Sequence, residues 1–127
     1  MIKSTGTKQT LTSDIVDLTY LNEYFLGERA PLIYVITIFL EQTKKKIEEL
    51  QNAIKDEDYS LIKKTAHFLK SSFSMMGLPC YDDISKLEMM GAQKEKITAI
   101  STLFKNITPS YRASIREFEF ILKKLKS

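Results

Sequence analysis

The chain has a single histidine, His67, and lysines stand three and four positions away from it along the sequence. Lys63 and Lys64 precede it, Lys70 follows it, and Ser71 stands at i+4. On an α-helix these positions surround the histidine on one face. None of them is a carboxylate, so nothing nearby on the helix holds the imidazole as a cation. A neutral imidazole nitrogen is a nucleophile, and Lys70 and Lys64 could contact phosphoryl oxygens, so the pattern indicates a phosphoryl acceptor.

The apolar residues around His67 indicate which way its side chain points. Apolar residues spaced alternately four and three positions apart form the predicted buried seam of this helix: Ile62, Ala66, Leu69, Phe73 and Met76. At about 100° per residue, His67 lies roughly 140° from the centre of that seam. We therefore expect the imidazole to face solvent, where the active site of a partner protein can reach it.

Most classes of enzyme are disfavoured by what the sequence lacks. One histidine leaves no histidine-based metal cluster, and there is no G-x-S-x-G, P-loop or G-x-G-x-x-G motif. Helix capping explains Asp82-Asp83, and Glu48-Glu49 lies beside lysines on a polar face. Cys80 is the only cysteine, which excludes an internal disulfide and fits a reducing compartment. With no second cysteine and no histidine near it in sequence, it also argues against a zinc site. We predict neither a metal nor a cofactor.

The composition is that of a single globular domain with a core of its own. The chain has 127 residues, of which 43% are hydrophobic and 28% charged. A net charge of +3 is too small to indicate nucleic acid binding, and the basic runs at 44–46 and 123–126 read as solvated helix faces. The apolar run at 32–40 is far shorter than the ~20 residues of a membrane span. We predict a cytoplasmic monomer with no nucleic acid or membrane partner.

The pattern along the chain predicts an all-α fold. Residues 1–13 are polar and are predicted to form a flexible tail, so the domain proper covers 14–127. Four long amphipathic segments follow a short first helix, at residues 28–55, 56–77, 80–92 and 95–126. With short turns between them, they predict an up-down-up-down four-helix bundle that the first helix caps at one end.

Specific residues mark the predicted helix boundaries. Asp14 or Asp17 would cap the first short helix, which Gly27 would end. Asp56 would cap the helix that carries His67. Pro109 interrupts the periodicity of the last segment, so a kink or a short break is expected there.

The residues around His67 resemble a known family. Ala66-His67-x-Leu69-Lys70-x-Ser72, followed by Gly77 and then by Leu87-Glu88 on the next helix, resembles the histidine-containing phosphotransfer (HPt) domain of multistep two-component phosphorelays. Upstream, Asp17-Leu18-x-Tyr20-Leu21 and Phe39-Leu40 are similar to the family's first two helices. The resemblance extends from about residue 15 to residue 92.

The resemblance implies that His67 is the phosphorylated residue, which accepts a phosphoryl group from a receiver aspartate and passes it to another receiver. It implies that Lys70 assists the phosphoryl group, whereas a role for Lys64 rests on helix geometry alone. The partners would be response-regulator receiver domains, including those of hybrid histidine kinases, and any Mg²⁺ would be held by the receiver. Many family members carry glycine where this chain has Ser71. The predicted docking residues are Lys63, Phe68, Ser71, Ser74 and Met75.

Two other functions remain open at this point. A dimerising histidine kinase core would need a nucleotide-binding domain, and the usual acidic residue after its histidine is replaced here by Phe68. Alternatively, the protein is a helical adaptor in which His67 is incidental. Phe68 and Met75 would then form an apolar docking patch, unless a neighbouring helix covers them.

Overall fold

The structure is a computed structural model that describes residues 10–127. Its described part contains five helices and no strand. In chain order they are α1 (Thr19–Phe25), α2 (Arg29–Lys55), α3 (Tyr59–Met76), α4 (Tyr81–Ala92) and α5 (Ile97–Lys126). The four longer helices correspond to the four predicted segments, and the short one to the predicted capping helix.

The four long helices form the bundle that the sequence predicts. Each packs against the next along the chain, and α5 closes the ring by packing against α2. The short helix α1 contacts α2 and α3 at one end. The predicted seam of α3 lies in the core, with all five residues fully shielded from solvent: Ile62, Ala66, Leu69, Phe73 and Met76. The predicted fold class is confirmed.

The start of α3 differs by two residues from the prediction. Asp58, not Asp56, caps the helix, because its carboxylate accepts a hydrogen bond from the backbone N–H of Leu61 at 3.1 Å. Asp56 instead follows the last turn of α2. At the other end, Gly77 adopts the left-handed conformation (φ 71°) that ends α3.

Pro109 does not end the last helix. Helix α5 continues from Ile97 to Lys126 with Pro109 inside it. The proline cannot donate a backbone N–H to the carbonyl of Lys105, so one helical hydrogen bond is missing at that turn. Burial of both halves of α5 compensates for this loss, since Ile100 and Ile107 before the proline and Phe118 after it are shielded from solvent.

The segment before α1 is fastened to the bundle. Residues 1–9 of the predicted flexible tail lie outside the described residues. Residues 10–13 depart from that prediction, because Leu11 is only 8% exposed and its backbone N–H and carbonyl both bond to the Asn22 side chain, at 2.9 and 2.8 Å. Further along, the N–H of Asp17 donates to the carbonyl of Gly77 at 2.8 Å. The N-terminal segment is thereby held against the end of α3.

The helices are amphipathic rather than apolar throughout. Within residues 10–127, none of them combines the length and the apolar character needed to cross a membrane.

Candidate functional site

His67 lies in the middle of α3, on the side away from the core. Its side chain is 64% exposed, while the adjacent Ala66 and the nearby Leu69 are fully buried. The direction predicted from the helical period is therefore correct. The imidazole stands on a rigid helix, and its position depends on the packing of that helix rather than on a loop.

A carboxylate from the neighbouring helix joins the histidine to a lysine. Oε2 of Glu88, on α4, lies 2.8 Å from Nδ1 of His67, and Oε1 of the same residue lies 2.7 Å from Nζ of Lys70. Glu88 is only 16% exposed and Lys70 29%, so both are more shielded than the imidazole. The three side chains form one connected group, which we call the Glu88 bridge.

The sequence of α4 explains why Glu88 reaches this position. Ile84 and Leu87 are fully buried, so the next residue after Leu87 lies at the edge of the contact with α3. One turn further on, a Cβ atom at Gly91 would lie 2.9 Å from the side chain of Ile62, which shows how closely the two helices approach. This close approach places the carboxylate within hydrogen-bonding distance of His67.

The bridge shifts the titration of both charged partners of the histidine. Desolvation raises the pKa of Glu88, but the hydrogen bonds from Lys70 and His67, together with their charges, outweigh it and hold this pKa below its ordinary value. The hydrogen bond to Glu88 raises the pKa of Lys70 against a smaller opposing effect of desolvation. Near neutral pH the bridge therefore contains a carboxylate and an ammonium group.

The bridge also determines which imidazole nitrogen is available. An ionised carboxylate only accepts hydrogen bonds, so a neutral imidazole paired with it carries its proton on Nδ1. The lone pair is then on Nε2, the nitrogen that Glu88 does not contact. Glu88 thus orients His67 in the way that a third group commonly orients a catalytic base.

Glu88 is the residue of this group that the sequence analysis did not assign to the site. The ring of i±3 and i±4 neighbours on α3 contains no carboxylate, as predicted, but that prediction concerned one helix only, and the partner of the imidazole comes from another helix. The only signal for it was the position of Leu87-Glu88 after the histidine helix. The distance between the two side chains could be known only from how α3 and α4 pack.

The other predicted site residues lie on the same side of α3 but do not join the bridge. Lys63, Lys64 and Ser74 are exposed, and Lys64 makes no hydrogen bond or ion pair with any described residue. Ser71 is exposed too, with its Oγ 3.5 Å from the carbonyl oxygen of His67, a marginal distance for a hydrogen bond. The structure thus brings together His67 and Lys70 from the predicted set.

Phe68 and Met75 are each partly covered. Met75 is half-buried and packs against the core. The ring of Phe68 is half-buried as well, and Nζ of Lys46 on α2 lies 5.0 Å from its centroid. Neither residue forms a wide exposed patch by itself, although each leaves part of its surface beside the histidine face.

Comparison with known proteins shows what the chain is similar to. Residues 35–87 match the model of the Hpt domain family. The fold is similar to that of histidine-containing phosphotransfer protein B (HptB) from Pseudomonas aeruginosa PAO1, with a TM-score of 0.80 and 15% sequence identity over 89% of this chain and 98% of that one. None of the curated proteins matches the chain significantly. The matched segment is 53 of the 127 residues and contains His67, so this part of the chain is similar to the Hpt domain of two-component phosphorelays, whose members interact with response-regulator receiver domains.

Proposed function

We propose that Nε2 of His67 accepts a phosphoryl group from the phosphorylated aspartate of one receiver domain and passes it to the aspartate of another. The observation that carries this proposal is the exposed imidazole whose Nδ1 is 2.8 Å from Glu88. That contact leaves Nε2 as the nucleophile and directs it toward solvent, where a docked receiver would present its acyl phosphate.

The bonds and charges of the transfer can be followed through the Glu88 bridge. A P–N bond forms at Nε2 while the P–O bond to the receiver aspartate breaks, and that aspartate leaves as a carboxylate. The imidazole keeps its Nδ1 proton and becomes a phosphorylated imidazolium. Glu88 then faces the new positive charge and stabilises it. The reverse sequence of steps delivers the phosphoryl group to the second receiver.

Lys70 would change partner during this reaction. In the unphosphorylated protein its ammonium group contacts Glu88 at 2.7 Å. A phosphoryl group on Nε2 offers three charged oxygens one helical turn away, and Lys70 can contact them while Glu88 is engaged by the imidazolium. Lys64, one turn before the histidine, is a further candidate because it has no partner among the described residues.

The receiver would dock on the surface around His67. We assign to this surface the predicted residues Lys63, Phe68, Ser71, Ser74 and Met75. Ser74 also borders a cleft of about 530 Å³ between the end of α3 and the residues before α1, which extends the surface on that side. We propose that the protein acts as a cytoplasmic monomer and that a hybrid histidine kinase supplies one of the receivers.

The test follows labelled phosphate from a phosphorylated receiver to the protein. We expect wild-type protein to take up acid-labile label and His67→Gln to take up none, with Lys44→Gln, an exposed change on α2, as the matched control. Equal labelling of His67→Gln would disprove the assignment of the site. Absence of labelling by every receiver of the same organism would favour the alternative of a helical adaptor in which His67 is incidental.

A further inference from the structure

A second cleft lies on the face of the bundle away from His67. It has a volume of about 510 Å³ and is formed by the end of α2 and the middle of α5. His67 and Glu88 are on α3 and α4, the other two helices of the ring. The phosphorelay reaction described above uses no residue of this cleft.

The cleft combines an apolar floor with a basic rim. Ile54 is almost fully buried in the core below it, and Phe104 is half-buried. Around them stand Lys55, Lys105 and Arg112, all of them exposed. Among the residues that the structure describes, no carboxylate lines the cleft.

The three cations are unpaired within the described part of the chain. None of them forms a hydrogen bond, an ion pair or a ring contact with any residue in the described range 10–127. Lys55 stands in the last turn of α2, where the helix dipole favours a positive charge. Lys105 and Arg112 are in the interior of α5, so the dipole does not account for them. A cleft with three such charges and no acidic lining is complementary to an anionic ligand.

The spacing of the cations indicates the shape of that ligand. Lys105 and Arg112 are seven residues apart on α5, which corresponds to two turns and about 10.5 Å along the helix axis. The lining of α5 extends from Ser101 to Arg112, or about 16 Å. An open groove of this length is too long for a compact anion to fill, but it matches two to three turns of a second helix laid along it.

We propose that this cleft binds an acidic amphipathic helix of a partner protein. Carboxylates seven residues apart on that helix would face Lys105 and Arg112, and an apolar side chain between them would contact Phe104 and Ile54. Exposed charge pairs contribute little affinity individually, so the apolar contact is required as well. The binding would be weak and would decrease as salt is added.

The probe is a synthetic, fluorescein-labelled helical peptide with Glu seven residues apart and Leu between them. We expect fluorescence anisotropy to show binding to the wild-type protein. Lys105→Glu/Arg112→Glu should weaken it by at least about tenfold, because two attractions become repulsions. Lys44→Glu/Lys45→Glu is the control, since it changes the net charge equally at exposed positions of α2 outside the cleft. It should bind the peptide as the wild type does.

Amide shifts of the ¹⁵N-labelled protein distinguish the proposal from its alternatives. The peptide should shift residues 51–55 and 101–112, and a peptide with Ala in place of Leu should not. Lys105→Gln/Arg112→Gln is a milder pair, which removes the two charges without reversing them and should also weaken binding. Circular dichroism checks that this variant is folded. The proposal is wrong if the wild type does not bind at about 1 mM peptide, or if the control pair loses as much binding. It is also wrong if tripolyphosphate reproduces the peptide shifts, because the cleft would then be a general anion site.

Discussion

At the residue scale, Glu88 contacts two groups that would carry different charges before and after the proposed transfer. Its Oε2 faces Nδ1 of His67 and its Oε1 faces the ammonium group of Lys70. Before transfer, the carboxylate fixes the tautomer and restrains the lysine. After transfer, the imidazolium and the phosphoryl group each require an opposite charge. Glu88 supplies the negative charge and Lys70 the positive one, so the side chains already present meet both requirements.

The first prediction concerns the orientation of the imidazole. Glu88→Ala removes the acceptor at Nδ1, so the ring can rotate and adopt either tautomer. We expect the rate of phosphoryl transfer to fall by about tenfold. Glu88→Gln keeps an oxygen that can accept from Nδ1, and should lose less. Single-turnover transfer from a phosphorylated receiver measures both, and equal rates for all three proteins would remove Glu88 from the site.

The second prediction concerns Lys70. Lys70→Ala removes the ammonium group that we place beside the phosphoryl oxygens, so transfer should slow or the lifetime of phosphohistidine should shorten. Because Lys70 is near the surface, the fold should be retained. Decay of the labelled protein after removal of the receiver measures the lifetime, with Lys45→Ala on α2 as the control. An unchanged rate and an unchanged lifetime would reduce Lys70 to a surface lysine.

The third prediction is a pH dependence of stability. The folded protein holds the pKa of Glu88 below the ordinary 4.5, so its ionised form stabilises the folded state above pH 4.5. This contribution is lost as the pH falls from 4.5 through the lower pKa of the folded state. Urea denaturation should therefore show that the stability advantage of wild type over Glu88→Gln shrinks with falling pH. Repeating the comparison in a His67→Gln background removes any contribution of the imidazole. A stability advantage that does not change with pH would contradict the prediction that the folded protein lowers the pKa of Glu88.

The sequence predicts some residues of the site better than others. The exposure of His67 and the proximity of Lys70 follow from the period of one helix, which is a local property. The role of Glu88 depends on the separation and rotation of two helices, and these are fixed by side chains far away in sequence, such as Ile62 against Gly91. Helical periodicity contains no information about that contact.

At the element scale, the end of α3 is where the N-terminal segment is attached. Gly77 has a φ of 71°, and a Cβ atom there would lie 1.7 Å from the carbonyl oxygen of Asp17. The carbonyl of Gly77 in turn accepts the N–H of Asp17. The glycine is needed for its conformation and also for the space it leaves, since no side chain fits between the two segments.

The fourth prediction follows from this contact. Gly77→Ala must adopt an unfavourable left-handed conformation and must also displace Asp17, so we expect a loss of at least about 2 kcal/mol in the free energy of unfolding. Urea denaturation measures the loss, and faster amide exchange at Asp17 should accompany it. Ser74→Ala, at an exposed position one turn earlier, is the control and should have almost no effect. Equal stability of the two variants would show that the segment is not held at Gly77.

The helix boundaries show why a short stretch of sequence locates the end of a helix only approximately. Two aspartates, Asp56 and Asp58, stand before α3, and both are good capping residues. The turn after α2 selects between them, because the N–H groups of Asp56 and Asp58 bond back to the carbonyls of Asn52 and Ala53. Likewise, Pro109 predicts an interruption locally, but burial along both halves of α5 keeps the helix continuous.

At the scale of the whole molecule, the ring of four helices separates two surfaces. The Glu88 bridge lies where α3 meets α4, and the basic cleft lies where α2 meets α5. The core between them contains the buried seam of α3 and the aromatic pair Phe39 and Phe118, whose centroids are 5.4 Å apart. A well-packed core of this kind keeps the helices in place when a partner binds at either surface.

The fifth prediction is that the two surfaces act independently. Substitutions that share no partner and lie on opposite faces usually have additive effects. Lys105→Glu/Arg112→Glu should therefore take up phosphoryl label at the wild-type rate, while Glu88→Ala should bind the acidic peptide with wild-type affinity. Combining the three substitutions should reproduce both defects without increasing either. A change of more than about threefold in the transfer rate of the cleft variant would exceed ordinary non-additivity. It would mean either that the receiver also contacts α5 or that movement of α5 reaches His67 through the core.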